Sequence, residues 1–543
     1  MLTISDEGLI NIDNYLTIEA IEDGLTASLS VNTCEYCIDG DGNWKTLSAG
    51  TTTESINSGQ TLLFRGNLQP TSSNGIGTFT INKKCNLKGN SMSMLYGDNA
   101  ADNYSLSGKN YAFYKLFQNC TNIVNVDSNF LPATTLAPNC YHFMFLKCTN
   151  LITAPELPAT TLTSYCYSNM FNGCTNLTTA PELLATTLAN YCYYGMFYNC
   201  TNLSTAPELP ATTLADYCYY CMFQDCTSLV TAPELPATTL ANNCYYGMFK
   251  YCTSLTTAPE LHATTLADGC CYNMFSGCTN LTTTPELPVT TLARNCYYFM
   301  FQNCTSLTTT PELPATTLAN NCYYGMFQYC TSLTTAPKLP ATKLAPYCYQ
   351  YMFSGCTSLT TAPELPATSL ATSCYQYMFQ NCSSLTTTPK LPATSLTNDC
   401  YSSMFFGCIS LATAPELPAT TLADYCYSSM FKNCTNLTTA PELPATTLAG
   451  YCYNSMFYNC TSLTTAPELP ATKLANYCYY NMFYSCNKLN YIKMLATDIS
   501  APSCLDDWVG GVSSTGTFIK NTAMTSLPIG INGIPTGWTV QNA

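Results

Sequence analysis

The stretch Cys322-Tyr-Tyr-Gly-Met326-Phe327-Gln-Tyr-Cys330-Thr-Ser-Leu333-Thr-Thr-Ala336-Pro337-Lys338-Leu339-Pro340-Ala-Thr-Lys-Leu344-Ala-Pro-Tyr347 is one period of a repeat, and its reading decides the fold. Cysteines in the Cys322 slot recur at steps of 26 residues from Cys140 to Cys504. Those in the Cys330 slot follow by eight, from Cys148 to Cys486, and Cys120 starts that series one coil earlier with Ala112 in the partner slot. The register makes about fifteen coils. A fixed period of this length marks a solenoid, because one coil cannot bury its own apolar face and stacked neighbours bury it together.

Within the coil, Cys322, Met326 and Cys330 are four apart, so a short helical or 3₁₀ segment would aim them inward with Phe327 beside them. Leu333, Ala336 and Leu339 recur at threes and Leu344 closes the circuit. Thr-Thr pairs favour extended backbone, which suits short strands stacked in parallel from coil to coil. Pro337 and Pro340 lack an N–H, so they break the strand into pieces and make corners.

The run Leu-Thr-Thr-Ala-Pro-Glu-Leu-Pro, followed by Ala-Thr-Thr-Leu-Ala-x-x-Cys-Tyr-x-x-Met-Phe-x-x-Cys-Thr-Ser-Leu, resembles the BspA-type leucine-rich repeat over roughly residues 105–505. That family places Ala-Phe-x-x-Cys-x-x-Leu before a strand ending in Ile-Pro. This chain departs in a slightly longer period, in Met for Ala before Phe, and in Ala at mid-strand. The resemblance implies a leucine-rich-repeat solenoid of short parallel strands and short helical or 3₁₀ segments. It also implies attachment, since members are mostly surface adhesins and interaction proteins of bacteria and protists, with similar arrays in phages of gut bacteria.

Three regions are expected: an N-terminal all-β, sandwich-like domain over 1–104, the solenoid over 105–505 and a C-terminal cap over 506–543. In the first, Tyr15-Leu-Thr-Ile-Glu-Ala-Ile, Thr61-Leu-Leu-Phe-Arg65 and Thr78-Phe-Thr-Ile-Asn82 read as strands, and Cys37 to Trp44 as a hairpin turn. The last region changes to Trp508-Val-Gly-Gly-Val and Gly533-Ile-Pro-Thr-Gly-Trp538, and terminal repeats are commonly atypical.

Composition narrows the function. Charged residues are 9% of the 543, far below the roughly 25% of ordinary soluble domains. With 18 Lys+Arg against 32 Asp+Glu the formal charge is −14, which argues against a nucleic-acid partner. Only His142 and His262 occur, which removes most histidine-based catalysis and metal binding. Met1 to Glu7 shows no basic or apolar export signal, and no apolar run of about 18 residues spells membrane insertion. No Gly-rich phosphate loop, Ser/His/Asp set or separate carboxylate pair is found, so no enzyme and no cofactor is expected.

Each remaining feature has a functional and a structural reading. The 35 cysteines read as buried reduced thiols acting as small hydrophobes, since Cys-x₇-Cys matches no zinc site and stacked parallel side chains make poor disulfides. Cys34-x-x-Cys37 is packing or a local disulfide. The Glu column, Glu156, Glu182, Glu208 and onward to Glu468 with Lys338 and Lys390 interrupting, is a solvated stripe or a recruiter of divalent cations. Asp39-x-Asp41-x-Asn43 is a hairpin without the rest of a calcium loop. Asn119, Asn199, Asn303 and Asn459 head Asn-x-Ser/Thr sequons beside inward cysteines.

Variation among copies concentrates in the two slots after Cys-Tyr and the two after Met-Phe. Tyr194-Gly195 becomes Gln350-Tyr351, and elsewhere Ser402-Ser403 or Asn454-Ser455. Rigid aromatics with adaptable amides resemble antibody paratopes, and Tyr rings suit the C–H faces of sugars; the alternative is drift on a polar face. The candidate binding residues are Tyr194, Tyr220, Tyr246, Tyr298, Tyr324, Tyr351 and Tyr377. The expected protein is a non-enzymatic phage virion appendage, extracellular, that recognises a host cell-surface glycan or protein and meets other virion proteins through its N-terminal domain. The alternatives are a bacterial cell-surface adhesin and a filament or scaffold subunit.

Overall fold

The computed structural model describes residues 10–543. The chain divides into two compact units, Met1–Thr265 with Gly277–Thr279, and Leu266–Ser276 with Asn280–Ala543. Among the described residues no helix is long and apolar enough to cross a membrane.

The first unit opens with strands β1 (Leu16–Ala20), β2 (Ala27–Leu29), β3 (Cys34–Ile38), β4 (Lys45–Leu47), β5 (Thr61–Arg65), β6 (Phe79–Ile81), β7 (Cys85–Gly89) and β8 (Ile123–Val126). Six of them form a sheet of order β4-β3-β5-β1-β7-β8, and β2 pairs with β6 in a second sheet. The two sheets meet through Phe64 and Phe79, whose rings lie 5.1 Å apart. Arg65 ties strands together: it reaches Glu35 at 2.8 Å and Asp98 at 2.9 Å, with its guanidinium 4.0 Å from the Trp44 ring centre. Pairing is antiparallel up to β7, but β7 and β8 run parallel. Strand β8 begins at Ile123, three residues after Cys120, so the sheet runs directly into the first coil and already has the parallel sense of the repeats.

Each coil has two backbone regimes. From the first cysteine to the second it is a chain of tight turns, and the expected helical or 3₁₀ segment is absent. In the second unit, the N–H groups of Cys322, Tyr324, Met326, Gln328 and Cys330 donate three residues back within the coil. Those between them, on Tyr323, Gly325, Phe327 and Tyr329, donate to Cys348, Gln350, Met352 and Ser354 of the next coil at 2.8 to 3.1 Å. Every N–H of the run is thereby paired, half locally and half between coils, as buried backbone requires. The geometry needs a left-handed residue at every fourth position: Asn321, Gly325 and Tyr329 have φ of 56°, 56° and 61°. The first unit does the same at Tyr191, Gly195 and Asn199, with φ of 61°, 57° and 57°. A four-residue turn repeat has the same facing period that the cysteine spacing demanded, which is why Cys322, Met326 and Cys330 are fully buried without a helix.

The second regime is extended. Leu333 is buried, then Pro337, Leu339 and Ala341 point inward in alternation, while Ala336 is only half-buried, so the inward period is two where threes were expected. The coils touch here mostly through single parallel bridges such as Thr153 with Thr179 and Thr361 with Thr387. Prolines cut the ladder short. Where Tyr491-Ile-Lys-Met494 replaces the Pro-Glu-Leu-Pro pattern, regular strands return: β9 (Thr465–Leu469), β10 (Tyr491–Met494), β11 (Thr517–Lys520) and β12 (Thr539–Asn542) form a parallel sheet. All four residues of β12 are exposed.

Stacking like on like fills the core. Phenylalanines of the Met-Phe pairs stack at 5.6 Å, as Phe145 on Phe171, and at 5.8 Å, as Phe353 on Phe379. The tyrosine of each Cys-Tyr pair, which no inward slot had been assigned to, is also core: Tyr141 on Tyr167 and Tyr349 on Tyr375 lie 5.7 Å apart. The hydroxyls of Tyr141, Tyr167, Tyr349, Tyr401 and Tyr453 are buried without a hydrogen-bond partner. Trp508 sits at the end of both columns, 6.3 Å from Tyr479 and 6.0 Å from Phe483, with its indole N–H on Gly533 O at 2.9 Å.

All 35 cysteines are buried thiols outside any disulfide. The second series has a bonding role beyond filling space. Cys356 Sγ donates to Phe327 O of the preceding coil at 3.1 Å, and Cys174 Sγ to Phe145 O at 3.1 Å. A small apolar side chain with a weak donor suits a slot that faces both a core and a carbonyl. Cys34 and Cys37 lie on strand β3, and burial pushes their thiols up to about 12 and about 11.

Candidate binding surface

Outward side chains of the turn run come from two kinds of position. Residues one before the first cysteine, and three and seven after it, are left-handed in coil after coil: Tyr217, Cys221 and Asp225 in one, Ser373, Tyr377 and Asn381 in another. The residue two after the cysteine has ordinary backbone and no such constraint.

Five of the seven candidate tyrosines occupy the unconstrained position, and they stack face to face. Ring centres are 4.8 Å apart for Tyr194 and Tyr220 and 4.3 Å for Tyr220 and Tyr246. In the second unit, Tyr272, Tyr298 and Tyr324 continue at 4.3 and 4.4 Å. Tyr351 and Tyr377 belong to the neighbouring left-handed position, with φ of 59° each; they pair at 4.6 Å, and Tyr351 meets Tyr324 at a tilt of 53°. All seven are half-buried. Burial, reinforced by neighbouring tyrosines, pushes the phenols of Tyr220 and Tyr324 up and that of Tyr351 up to about 12, so they are neutral hydroxyls at any physiological pH.

The ring faces within these stacks are covered by other rings at 4.3 to 4.8 Å. A sugar therefore cannot lie on an interior ring; what the columns offer outward is ring edge, hydroxyl and the amides and serines of neighbouring coils. A second tyrosine column, one residue before the first cysteine, escaped the sequence reading: Tyr165, Tyr191 and Tyr217 stack at 4.6 Å, and Tyr425, Tyr451 and Tyr477 at 4.4 and 4.5 Å. Its signal was present as the Tyr-Cys-Tyr triplets.

The left-handed positions also explain part of the composition that resembled a paratope. Gly, Asn and Asp tolerate positive φ at small cost, so they recur there for the backbone's sake, while Tyr and Ser fill the same positions in other coils. The sequon residues Asn119, Asn199, Asn303 and Asn459 all have φ between 57° and 63°. Neighbouring coils constrain one another at these slots. A Cβ placed on Gly277 would run into the Tyr251 ring, one on Gly355 into Tyr329, and one on Gly325 into Phe299. At these three places the large side chain leans over the next coil and leaves room there only for glycine, whereas Tyr351 and Tyr377 meet the same problem by stacking.

The Glu column is exposed along its length, and Glu468 pairs with Lys493 at 3.0 Å. Asp39 and Asp41 spend their oxygens on the turn: Asp39 accepts from Thr61 N at 2.8 Å and Asp41 from Asn43 N at 2.8 Å. Among the described residues no group of three or more His, Cys, Asp or Glu could hold a metal ion. His142 is largely enclosed beside Tyr114 and Tyr165; burial and nearby Lys115 lower its imidazole to about 4.

A family model described as a BspA type leucine-rich repeat region (6 copies) matches residues 110–256, 244–386, 323–438 and 373–501. No curated protein and no solved structure matches the chain.

Proposed function

Because the chain belongs to the BspA-type leucine-rich repeat family, we propose that it is a non-enzymatic attachment protein, and specifically a phage virion appendage that recognises a host cell-surface glycan or protein. Proteins built on this repeat are commonly surface adhesion and binding proteins. The observation that carries the reading is the pair of outward tyrosine columns, repeated in register from coil to coil. A ligand that repeats, such as a surface polymer, meets the same edge-and-hydroxyl chemistry at each coil, and weak contacts sum to avidity. The thiols favour a virion over an exported adhesin. Thirty-five buried cysteines outside any disulfide suit a chain that folds in a reducing compartment and leaves it already folded. The N-terminal sheets are the part left for docking to other virion proteins.

The test replaces Tyr194, Tyr220, Tyr246, Tyr298, Tyr324, Tyr351 and Tyr377 together by Ser, which other coils carry at 402 and 403. Adsorption to producing-host cells falls by at least tenfold if these seven tyrosines bind; unchanged adsorption would remove them as the attachment surface and leave only the column of Tyr165, Tyr191 and Tyr217 and of Tyr425, Tyr451 and Tyr477. Sedimentation of a lysed culture with virions supports the appendage, and recovery with the cell envelope supports the adhesin.

A further inference from the structure

In the second unit one coil departs from the others at the slot two before its first cysteine. The position two before the first cysteine holds Pro, Ser, Asn, Asp, Arg or Thr in the other coils, but glycine at Gly450 alone. Its φ is not left-handed, so the backbone does not ask for glycine there. A Cβ at Gly450 would sit 3.2 Å from Asp424 Oδ1, the atom that accepts the Gly450 N–H at 2.9 Å. The neighbouring coil edge is altered in the same coil. The slot of the second Thr in Ala-Thr-Thr-Leu forms a parallel bridge at Thr421 and at Lys473 on either side, but Thr447 forms none. Missing side chain and missing bridge together leave a groove of about 760 Å³ between Tyr425 and Asn476. That lies inside the roughly 300–1,000 Å³ of small-molecule sites.

The lining says what fits. Thr446, Thr447 and Thr472 contribute hydroxyls and Asn476 an amide, while Leu448 and Leu474 with the stacked Tyr425–Tyr451 pair supply apolar surface. The two charged groups are already engaged by the protein: Asp424 holds Gly450 N–H, and Lys473 pairs with Asp498 at 3.7 Å. One carboxylate and one ammonium offset each other in the lining, and the rest is hydroxyl, amide and hydrocarbon. We infer that this groove is a saccharide site for a neutral hexopyranose segment, whose hydroxyls and C–H faces match that mixture. The net charge of −14 disfavours an acidic sugar in the same place. The groove contains none of the seven candidate tyrosines, but Tyr425 and Tyr451 of the second column line it, so the inference deepens the glycan part of the attachment reading and rests on it.

The experiment titrates the full chain with maltohexaose, cellohexaose and chitohexaose by calorimetry, and repeats the titration with Gly450→Asn. Asparagine occupies this slot at Asn242, Asn320 and Asn398, so the fold accommodates it, and its side chain fills the groove. Thr447→Val, which removes one hydroxyl at constant shape, is the second variant. At least one oligosaccharide is expected to bind with a Kd below about 1 mM, weakening at least tenfold in Gly450→Asn and several-fold in Thr447→Val. Failure of all three sugars to bind overturns the proposal, as does binding that both variants leave unchanged. Host adsorption that survives Gly450→Asn while sugar binding is lost upholds the groove as a sugar site and separates it from the seven candidate tyrosines.

Discussion

Replacing Gly355 by Ala tests whether neighbouring coils constrain each other through their left-handed positions. Gly355 has φ of 76°, where an L-residue costs about 1–2 kcal/mol. The added Cβ would also lie 2.7 Å from Cε1 and 3.3 Å from Cγ of Tyr329. The ring is 45% exposed and can swing outward, so relief is possible at about 1–2 kcal/mol of lost packing. The sum is about 3 kcal/mol for Gly355→Ala. Tyr329→Gly removes the ring at a position with φ of 61°, where glycine is at ease and which other coils fill with Gly277 and Gly407. In the double variant only the backbone share should remain, giving a coupling of about 1–2 kcal/mol between the two sites. Because the chain has two compact units and need not unfold in one step, the readout is amide hydrogen exchange of peptides spanning 325–356. A cost under about 0.5 kcal/mol for Gly355→Ala, or a strictly additive double variant, would refute the reasoning.

Two further perturbations address the core and its pH response. Cys356→Ala and Cys356→Ser should each cost about 1–2 kcal/mol, with serine no worse than alanine, because its hydroxyl can still reach Phe327 O, now bonded by Cys356 Sγ at 3.1 Å. Amide hydrogen exchange of peptides spanning 327–356 reads both, and serine more than about 1 kcal/mol below alanine would reduce the thiol to an apolar filler. For His142, a folded pKa of about 4 against an ordinary 6.5 means that the unfolded chain binds the proton first. The associated stability is complete above pH 6.5 and is lost as pH falls toward 4, by about 2 kcal/mol after allowance for partial exposure. His142→Ser, copying Ser168 one coil on, should lessen the drop in melting temperature between pH 7 and pH 4.5; an equal drop in both proteins rules the histidine out.

The period, the inward cysteines, Met326, Phe327 and Leu333, and the strand-breaking prolines were all legible, because each rests on spacing or on a missing N–H. The backbone of the turn run was not. Residues four apart share a face in a helix and equally in a chain of four-residue turns, so spacing alone could not separate them. Asn321, Gly325 and Tyr329 held the discriminating information, since asparagine and glycine favour positive φ and a helix has no place for it. The same oversight coloured the binding surface. Half of the variable slots answer to backbone geometry, and the other half, the position of Tyr194, Tyr220, Tyr246, Tyr298 and Tyr324 and the position of Tyr198 and Gln328, are free of it. The buried tyrosine of each Cys-Tyr pair was hidden because Tyr reads as a surface aromatic when its hydroxyl has no visible partner.

Self-stacking has a consequence for how such a gene changes length. Within either unit, Phe rests on Phe, Tyr on Tyr, and cysteine donates to the carbonyl of an identical neighbour. Unequal recombination that duplicates or deletes one 26-residue period joins two coils that were never adjacent, and still presents every core side chain with a copy of its former neighbour. The exceptions are junctions such as Tyr329 over Gly355, where a bulky residue needs a glycine in the following coil. Reach can be adjusted in steps of one coil at almost any seam, and those few pairs mark the seams where a cut and splice is forbidden.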